Sequence, residues 1–388
     1  MDRNILQKIT ELRHYLHAHP ELSGQERETI GTLQEFLRRN TSLEIVDGDG
    51  WFYAMKKGTS GDPPIAFRAD MDALPMAEGI DLPYASVNDG ISHKCGHDGH
   101  SAALCGLAME LDRREVKRNI FLIFQPAEET GAGAAKCCGL IREKGIAEIY
   151  AFHNISGYPV GSVLCRYGMI NAASEGLLIR LAGRQSHASA PEAGINPAYA
   201  AAKLVLFARE ELPGLLFPSE AETGKTDPSS GSSRFAFCTL VGMKCGEGDF
   251  GISAGDGSVS FTLRADDEAV MKEMEARLID CASKLAEEER LRMSFEIKDY
   301  FPETRNHDPA VDKVFRTAAL MGLKPARMEE PWLASEDFGR FLRKCPGAMF
   351  YIGNGEDHPP VHTAPFDFND RILETAVDMF IGLACGAE

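Results

Sequence analysis

The segment His93 to His100, HKCGHDGH, concentrates the side chains that borderline divalent metals prefer. It carries one thiol (Cys95), three imidazoles (His93, His97, His100) and one carboxylate (Asp98). By residue type this is a metal-binding turn. The following run, SAALCGLAMEL (101–111), mixes helix formers with small residues, which predicts that the turn opens a helix buried against a sheet. Cys95 and His97 then stand at the N-terminal end of that helix, where the dipole favours a thiolate. The cluster alone leaves open a plainer origin, in which a Cys and several His share a Gly-rich turn.

The elements that must position these residues are legible on either side. Helical spacing predicts helices over 4–16 and 27–37, strand-like stretches within 42–56, and a short apolar strand over 64–70 (PIAFRAD). After the Cys95 helix, NIFLIFQ (119–125) reads as a strand buried on both faces, as in a parallel sheet, and Pro126-Ala127-Glu128-Glu129 leaves its end. A helix over 132–144 leads to a further strand, EIYAFH (148–153). This alternation predicts an α/β domain. Asp70, the pair Glu128 and Glu129, and His153 each fall at or just past the C-terminal end of a separate strand, the edge where open α/β sheets build their sites. Several loops converging on one edge argue for a metal-dependent enzyme more strongly than the Cys/His cluster alone.

The character changes near residue 174. A strand (175–182), a long helix (195–216), two strands (234–243 and 258–264) and a long helix (267–291) follow a β-α-β-β-α plan, with a polar loop at 223–233 that reads as mobile. The α/β pattern then returns with helices over 309–321, 335–342 and 370–383, a strand over 348–352, and a His-bearing loop, HPPVHT (358–363). The expected organisation is a catalytic α/β domain with a mostly parallel sheet, 1–173 plus 300–388, into which 174–299 is inserted as a second, α+β domain.

Composition narrows the partners. Of 388 residues, 44% are hydrophobic and 26% charged, and the net charge of -17 argues against non-specific nucleic-acid or membrane-surface binding. No apolar run is long enough to cross a membrane, and the N-terminus reads as an amphipathic helix rather than a signal peptide, so the expected location is cytoplasmic. The ten cysteines are scattered, several in apolar settings (Cys105, Cys165, Cys238, Cys345), and are expected to be reduced core thiols.

Ordered blocks run through nearly the whole chain: HAHPELSGQE (17–26), FRADMDALPM (67–76), HKCGHDGHSA (93–102), FQPAEETGAGA (124–134), FHN (152–154), SHASAPEAGINP (186–197), ASEDF (334–338) and HTAPFDFND (362–370). Together they resemble the M20 metallopeptidases, and in particular the amidohydrolase branch with aminoacylase-like, hippurate-hydrolase-like and aminobenzoyl-glutamate-hydrolase enzymes. The resemblance implies a catalytic domain around two divalent ions, zinc or manganese with cobalt or nickel as alternatives, and an inserted lid that mediates homodimerisation. It implies that Cys95, His97, Glu129, His153 and His362 hold the metals and that Glu128 is the general base. Paired ions polarise a carbonyl and activate water, so no protein nucleophile is needed, and a Glu beside a ligand can move the water's proton. Asp70 and Asp98 are expected to orient ligand imidazoles. His93 and His100 are assigned structural roles, because the ligand set is filled without them. His187 resembles the lid histidine that stabilises the developing oxyanion in a partner subunit's site.

Two departures stand out. Arg68 occupies a position where many M20 peptidases have a ligating His. The segment GDFGISAGDG (248–257) places Gly251 where relatives often carry the Asn of an Asn-x-Ile-Pro stretch. The expected activity is hydrolysis of the amide of an N-acyl or N-aroyl amino acid, or of a small peptide. A dipeptidase or carboxypeptidase of the same fold, and a catalytically silent ligand-binding homologue, are the alternatives.

Overall fold

The computed structural model describes residues 1–216 and 235–386, so the polar stretch at 223–233 lies outside the described residues. The chain divides into two compact units, Met1–Asn171 with Thr304–Glu388, and Ala172–Glu303.

The first unit opens with helices α1 (Arg3–Ala18) and α2 (Arg27–Asn40), then strands β1 (Glu44–Asp47), β2 (Phe52–Lys56) and β3 (Ile65–Asp70). Helix α3 (His97–Asp112) and strand β4 (Ile120–Gln125) follow, then α4 (Gly133–Cys137), α5 (Gly139–Lys144), β5 (Glu148–Ser156), β6 (Val163–Cys165) and β7 (Gly168–Asn171). The single helix expected over 132–144 is broken at Cys138. Gly139, a poor helix former, starts the second piece. Gly133 is required where it stands, because a side chain there would run into Pro126 O.

In the second unit, β8 (Ala173–Ala182), β9 (Ser186–His187), α6 (Ala198–Glu210) and α7 (Leu212–Leu216) precede β10 (Ala236–Cys245), β11 (Ile252–Ser253), β12 (Asp256–Ala265), α8 (Glu268–Glu288) and β13 (Arg292–Phe301). The helix expected over 195–216 begins only at Ala198 and breaks at Glu211. Pro213, with no N–H to give to residue 209, fits in the first turn of a new helix but not inside an old one. An antiparallel sheet of order β10-β12-β8-β13 packs Leu177, Ile179, Phe261 and Leu263 against Leu204 of α6 and Met274 and Leu278 of α8.

The chain re-enters the first unit through β14 (Thr304–Asn306), α9 (Asp308–Leu320), β15 (Pro325–Arg327), α10 (Gly339–Leu342), β16 (Gly347–Gly355) and α11 (Leu373–Cys385). Residues 335–338, expected to be helical, are not: 335–336 have no regular structure and 337–338 form a turn before the helix begins at Gly339. The eight-stranded sheet runs β1-β2-β4-β3-β5-β16-β6-β15 and is parallel through β4, β3, β5 and β16. Side chains of α1, α3, α9 and α11 fill one face, including Ile9, Leu104, Val314 and Phe380, while α4, α5 and α10 cover the other with Cys137, Leu140 and Phe341. Helix α3 is buried on every side from His97 to Leu111, which accounts for the small and apolar residues found all around its Ala102–Met109 stretch. No described helix is long and apolar enough to cross a membrane.

Candidate metal centre and catalytic site

Because β3, β4, β5 and β16 are parallel, their C-terminal ends share one edge of the sheet. Asp70 ends β3, Glu128 and Glu129 follow β4, His153 lies near the end of β5, and His362 is in the loop after β16. The turn before α3 brings Cys95 and His97 to the same edge. Potential ligand atoms of Cys95, His97 and His153 lie within 4.8 Å of one another, as do those of Cys95, Glu129 and His362, and those of His97, Glu128 and Glu129. Cys95 Sγ is 3.4 Å from His153 Nε2, and His362 Nε2 is 3.3 Å from Glu129 Oε1.

Local backbone geometry is part of this convergence. Gly96 caps α3 at φ +101°, and a Cβ there would collide with Asn154 Oδ1. Ala127 and His362 hold φ of +48° and +59°, a region that costs a non-glycine residue of order 1–3 kcal/mol. Both are fastened by hydrogen bonds. Ala127 N–H donates to Glu26 Oε1 (2.7 Å), Glu129 N–H to Asp72 Oδ2 (3.0 Å), and His362 N–H to Lys94 O (2.7 Å).

Hydrogen bonding also sets the imidazoles. His153 Nδ1 is 2.7 Å from Asn154 O, and His97 Nδ1 is 3.0 Å from Asp72 O and 3.2 Å from Asp72 Oδ1. A carbonyl oxygen only accepts, so both Nδ1 atoms carry the proton and both rings present Nε2 to the centre. His97 Nε2 is buried without a hydrogen-bond partner, as is Glu129 Oε1. It stands 3.9 Å from Asp70, 3.9 Å from Glu128 and 3.8 Å from Glu129. These two orphaned buried atoms, among overlapping clusters that also bring in the Cys95 thiol, His153 and the half-exposed His362, fit divalent cations of the zinc class.

The electrostatics point the same way. Burial alone would lower the His97 imidazole, but Asp70 and Asp72 outweigh it and raise it to about 10. The carboxylates thus call for positive charge, which a proton or a divalent ion supplies. Burial, then Glu129 and Glu128, push the Cys95 thiol well above its usual value, so the helix terminus alone does not make it a thiolate. Burial, then Glu336 and Glu129, raise Glu128 well above the usual carboxylate range. Burial, then His100, keep His153 neutral.

Other expected site residues fall elsewhere. Asp98 does not orient any of the expected ligands: its Oδ2 is 2.9 Å from His17 Nδ1 and 3.5 Å from Arg13 Nη1, because the first turn of α3 points it towards α1. Asp72, unassigned from sequence, takes that place at His97. Asp70 meets His100 Nδ1 at 2.6 Å, and His100 Nε2 meets Asn154 Oδ1 at 2.7 Å, so both nitrogens of His100 are engaged. His93 is buried, its imidazole lowered to about 4 by desolvation. In the second unit, His187 is exposed on β9, paired with Ile252 of β11, and its Nδ1 accepts from Ser189 N–H (3.1 Å). Gly251 O in turn accepts from Ala188 N–H (2.9 Å). Arg68, Gln125, Glu336 and Asp337 form a buried cluster beside Glu128 that sequence reasoning left without roles. The ASEDF and FRADMD blocks carried that signal.

A fold and centre of this kind define a class of metal-dependent hydrolases. Residues 66–385 match the profile of peptidase family M20/M25/M40. The chain is 29% identical to N-acetylcysteine deacetylase of Bacillus subtilis (strain 168) over 99% of its own length and 97% of the relative. It is 30% identical to hippurate hydrolase of Campylobacter jejuni, covering 97% and 96% of the two chains. It is also 30% identical to thermostable carboxypeptidase 1 of Saccharolobus solfataricus, covering 96% and 93%. The crystal structure of the Bacillus subtilis YXEP protein, described as a dinuclear metal-binding peptidase of the M20 family, superposes with a TM-score of 0.80 at 27% identity over 99% of this chain and 98% of that one. The chain belongs to peptidase family M20/M25/M40, and it is a metal-dependent hydrolase of C–N amide bonds.

Proposed function

We propose that the protein hydrolyses the amide of an N-acyl or N-aroyl amino acid, with Cys95, His97, Glu129, His153 and His362 holding two divalent ions and Glu128 as general base. The observation that carries this reading is a chain of overlapping clusters, Cys95–His97–His153, Cys95–Glu129–His362 and His97–Glu128–Glu129, with His97 and His153 in the tautomer that presents Nε2. The deacetylase and hippurate hydrolase among the relatives support a blocked amino acid as substrate. The bound ions would polarise the scissile carbonyl and lower the pKa of the attacking water. Glu128 takes that water's proton and passes it to the leaving amine. Ser189 N–H must donate to His187 Nδ1, so the neutral ring keeps its proton on Nε2, a donor able to stabilise an oxyanion.

Zinc or manganese is the expected metal, given the mixed thiolate, imidazole and carboxylate donors. A reducing, cytoplasmic location suits ten free cysteines. A homodimer is supported by β10, an edge strand of the second unit that exposes Phe237, Leu240, Val241 and Met243. The carboxypeptidase among the relatives favours a second reading, cleavage of unblocked peptides. Release of amino acid from a panel of N-acetyl, N-benzoyl and 4-aminobenzoyl amino acids and free dipeptides, with zinc- or manganese-loaded protein, separates the two. Selective turnover of blocked substrates is expected. Turnover confined to dipeptides would replace the first reading with the second, and no turnover by metal-loaded protein would leave a ligand-binding homologue.

A further inference from the structure

The Glu128 carboxylate is held by a segment to which the proposed reaction gives no part, Glu336-Asp337. Asp337 N–H donates to Glu128 Oε1 (3.3 Å). The buried Asp337 carboxylate accepts from three elements: Arg68 Nη2 of β3 (3.1 Å) and Gln125 Nε2 of β4 (2.7 Å) at Oδ1, and Ala134 N–H of α4 (2.8 Å) at Oδ2. Gln125 and Ala134 flank the turn that carries Glu128 and Glu129. Asp337 therefore grips this turn before, within and after the base.

The grip is braced in turn. Arg68 is fully buried, and its guanidinium also donates to Gln125 Oε1 (2.9 Å), Asp70 Oδ2 (2.6 Å) and Glu336 Oε1 (3.0 Å). Carboxylate atoms of Glu128, Glu336 and Asp337 lie within 4.8 Å of one another, a spacing at which like charges separate unless a cation ties them. Glu336 O and Gly339 N–H are both joined to Thr304 Oγ1 (3.1 Å each), which fixes the backbone of the segment.

We infer that Asp337, clamped by Arg68 and Gln125, is the positioning residue that aims the Glu128 carboxylate at the reacting water. The inference rests on Glu128 being the base. Misplacing a catalytic group by about 1 Å can cost about 100-fold in rate. Asp337→Ala should lower kcat about 10- to 100-fold on the fastest-cleaved blocked amino acid, with KM within about twofold of wild type and bound metal per chain unchanged. In a Glu128→Ala background the same substitution should cost nothing further, because its effect passes through Glu128. Gln125→Ala, which removes one of the three donors, should give a smaller loss with the same dependence on Glu128, and it serves if Asp337→Ala does not fold.

An equal fractional loss in both backgrounds, or a loss that follows metal content, would overturn the inference. If the metal-loaded wild type cleaves nothing, the proposed reaction is what fails, and crystal structures still decide the positioning. A Glu128 carboxylate displaced in the variant supports it, and an unmoved one overturns it.

Discussion

At the scale of single residues, the site depends on which partner each ionisable group finds. Asp98 lies in the metal-binding turn but serves a buried cluster with Arg13 and His17. Burial would lower His17, but hydrogen bonds to Asp98 and Glu78 outweigh it and raise the imidazole to about 9, against 6.5 unperturbed. A folded-state pKa above the unfolded value adds stability that is complete below about 6.5 and vanishes as pH rises through about 9. His17→Gln should therefore be most destabilising near pH 6, by up to about 3 kcal/mol, and progressively less so towards pH 9.5. Urea midpoints at the two pH values test this, and a pH-independent cost would mean that packing, not charge, is what His17 supplies.

At the scale of elements, the start of α3 is the most constrained piece of the centre. Gly96 is the joint between Cys95 and the helix, at a φ that residues with a side chain avoid, with Asn154 Oδ1 and Phe368 close to where a Cβ would stand. Gly96→Ala should lower unfolding stability by about 2–4 kcal/mol and reduce bound metal, since either the backbone or Asn154 must move. A denaturant titration beside metal analysis checks both, and a cost below about 0.5 kcal/mol would show that the turn relaxes freely. The turn after β4 is built on a related plan, with strain at Ala127 held by Glu26, and Asp72 and Asp337 fixing the residues that follow.

At the scale of the whole molecule, the two units present different surfaces. The central strands of the first unit are covered on both faces, whereas the second leaves the apolar edge strand β10 open, with Val241 65% exposed at a break in register. An open apolar edge favours pairing with another strand. If the proposed dimer pairs through β10, Val241→Lys shifts the protein from dimer to monomer in sedimentation velocity while leaving its helix and strand content intact. An unchanged sedimentation coefficient would move the interface elsewhere or remove the dimer.

Much of the fold follows from local sequence. The alternation of apolar strands with helices specifies an α/β sheet, and the position of Asp70, Glu128, Glu129 and His153 at strand ends brings them to one edge once the strands are parallel. The ordered motifs add Cys95, His97 and His362, so the side chains of the proposed site, which the structure brings close together, could be named along the chain. Its internal wiring was not. That Asp72 rather than Asp98 orients His97, that Arg68 ties Glu336 and Asp337, and that Asp337 holds Glu128 are pairings between distant residues, the last 209 positions apart. Local periodicity says which face a residue takes, not which distant group meets it there. The non-helical 335–338 segment has the same origin, because its buried hydrogen bonds to Arg68, Ala134 and Thr304 form only once the chain has folded, whereas the breaks at Cys138 and Glu211 follow from Gly139 and Pro213, which local sequence does carry.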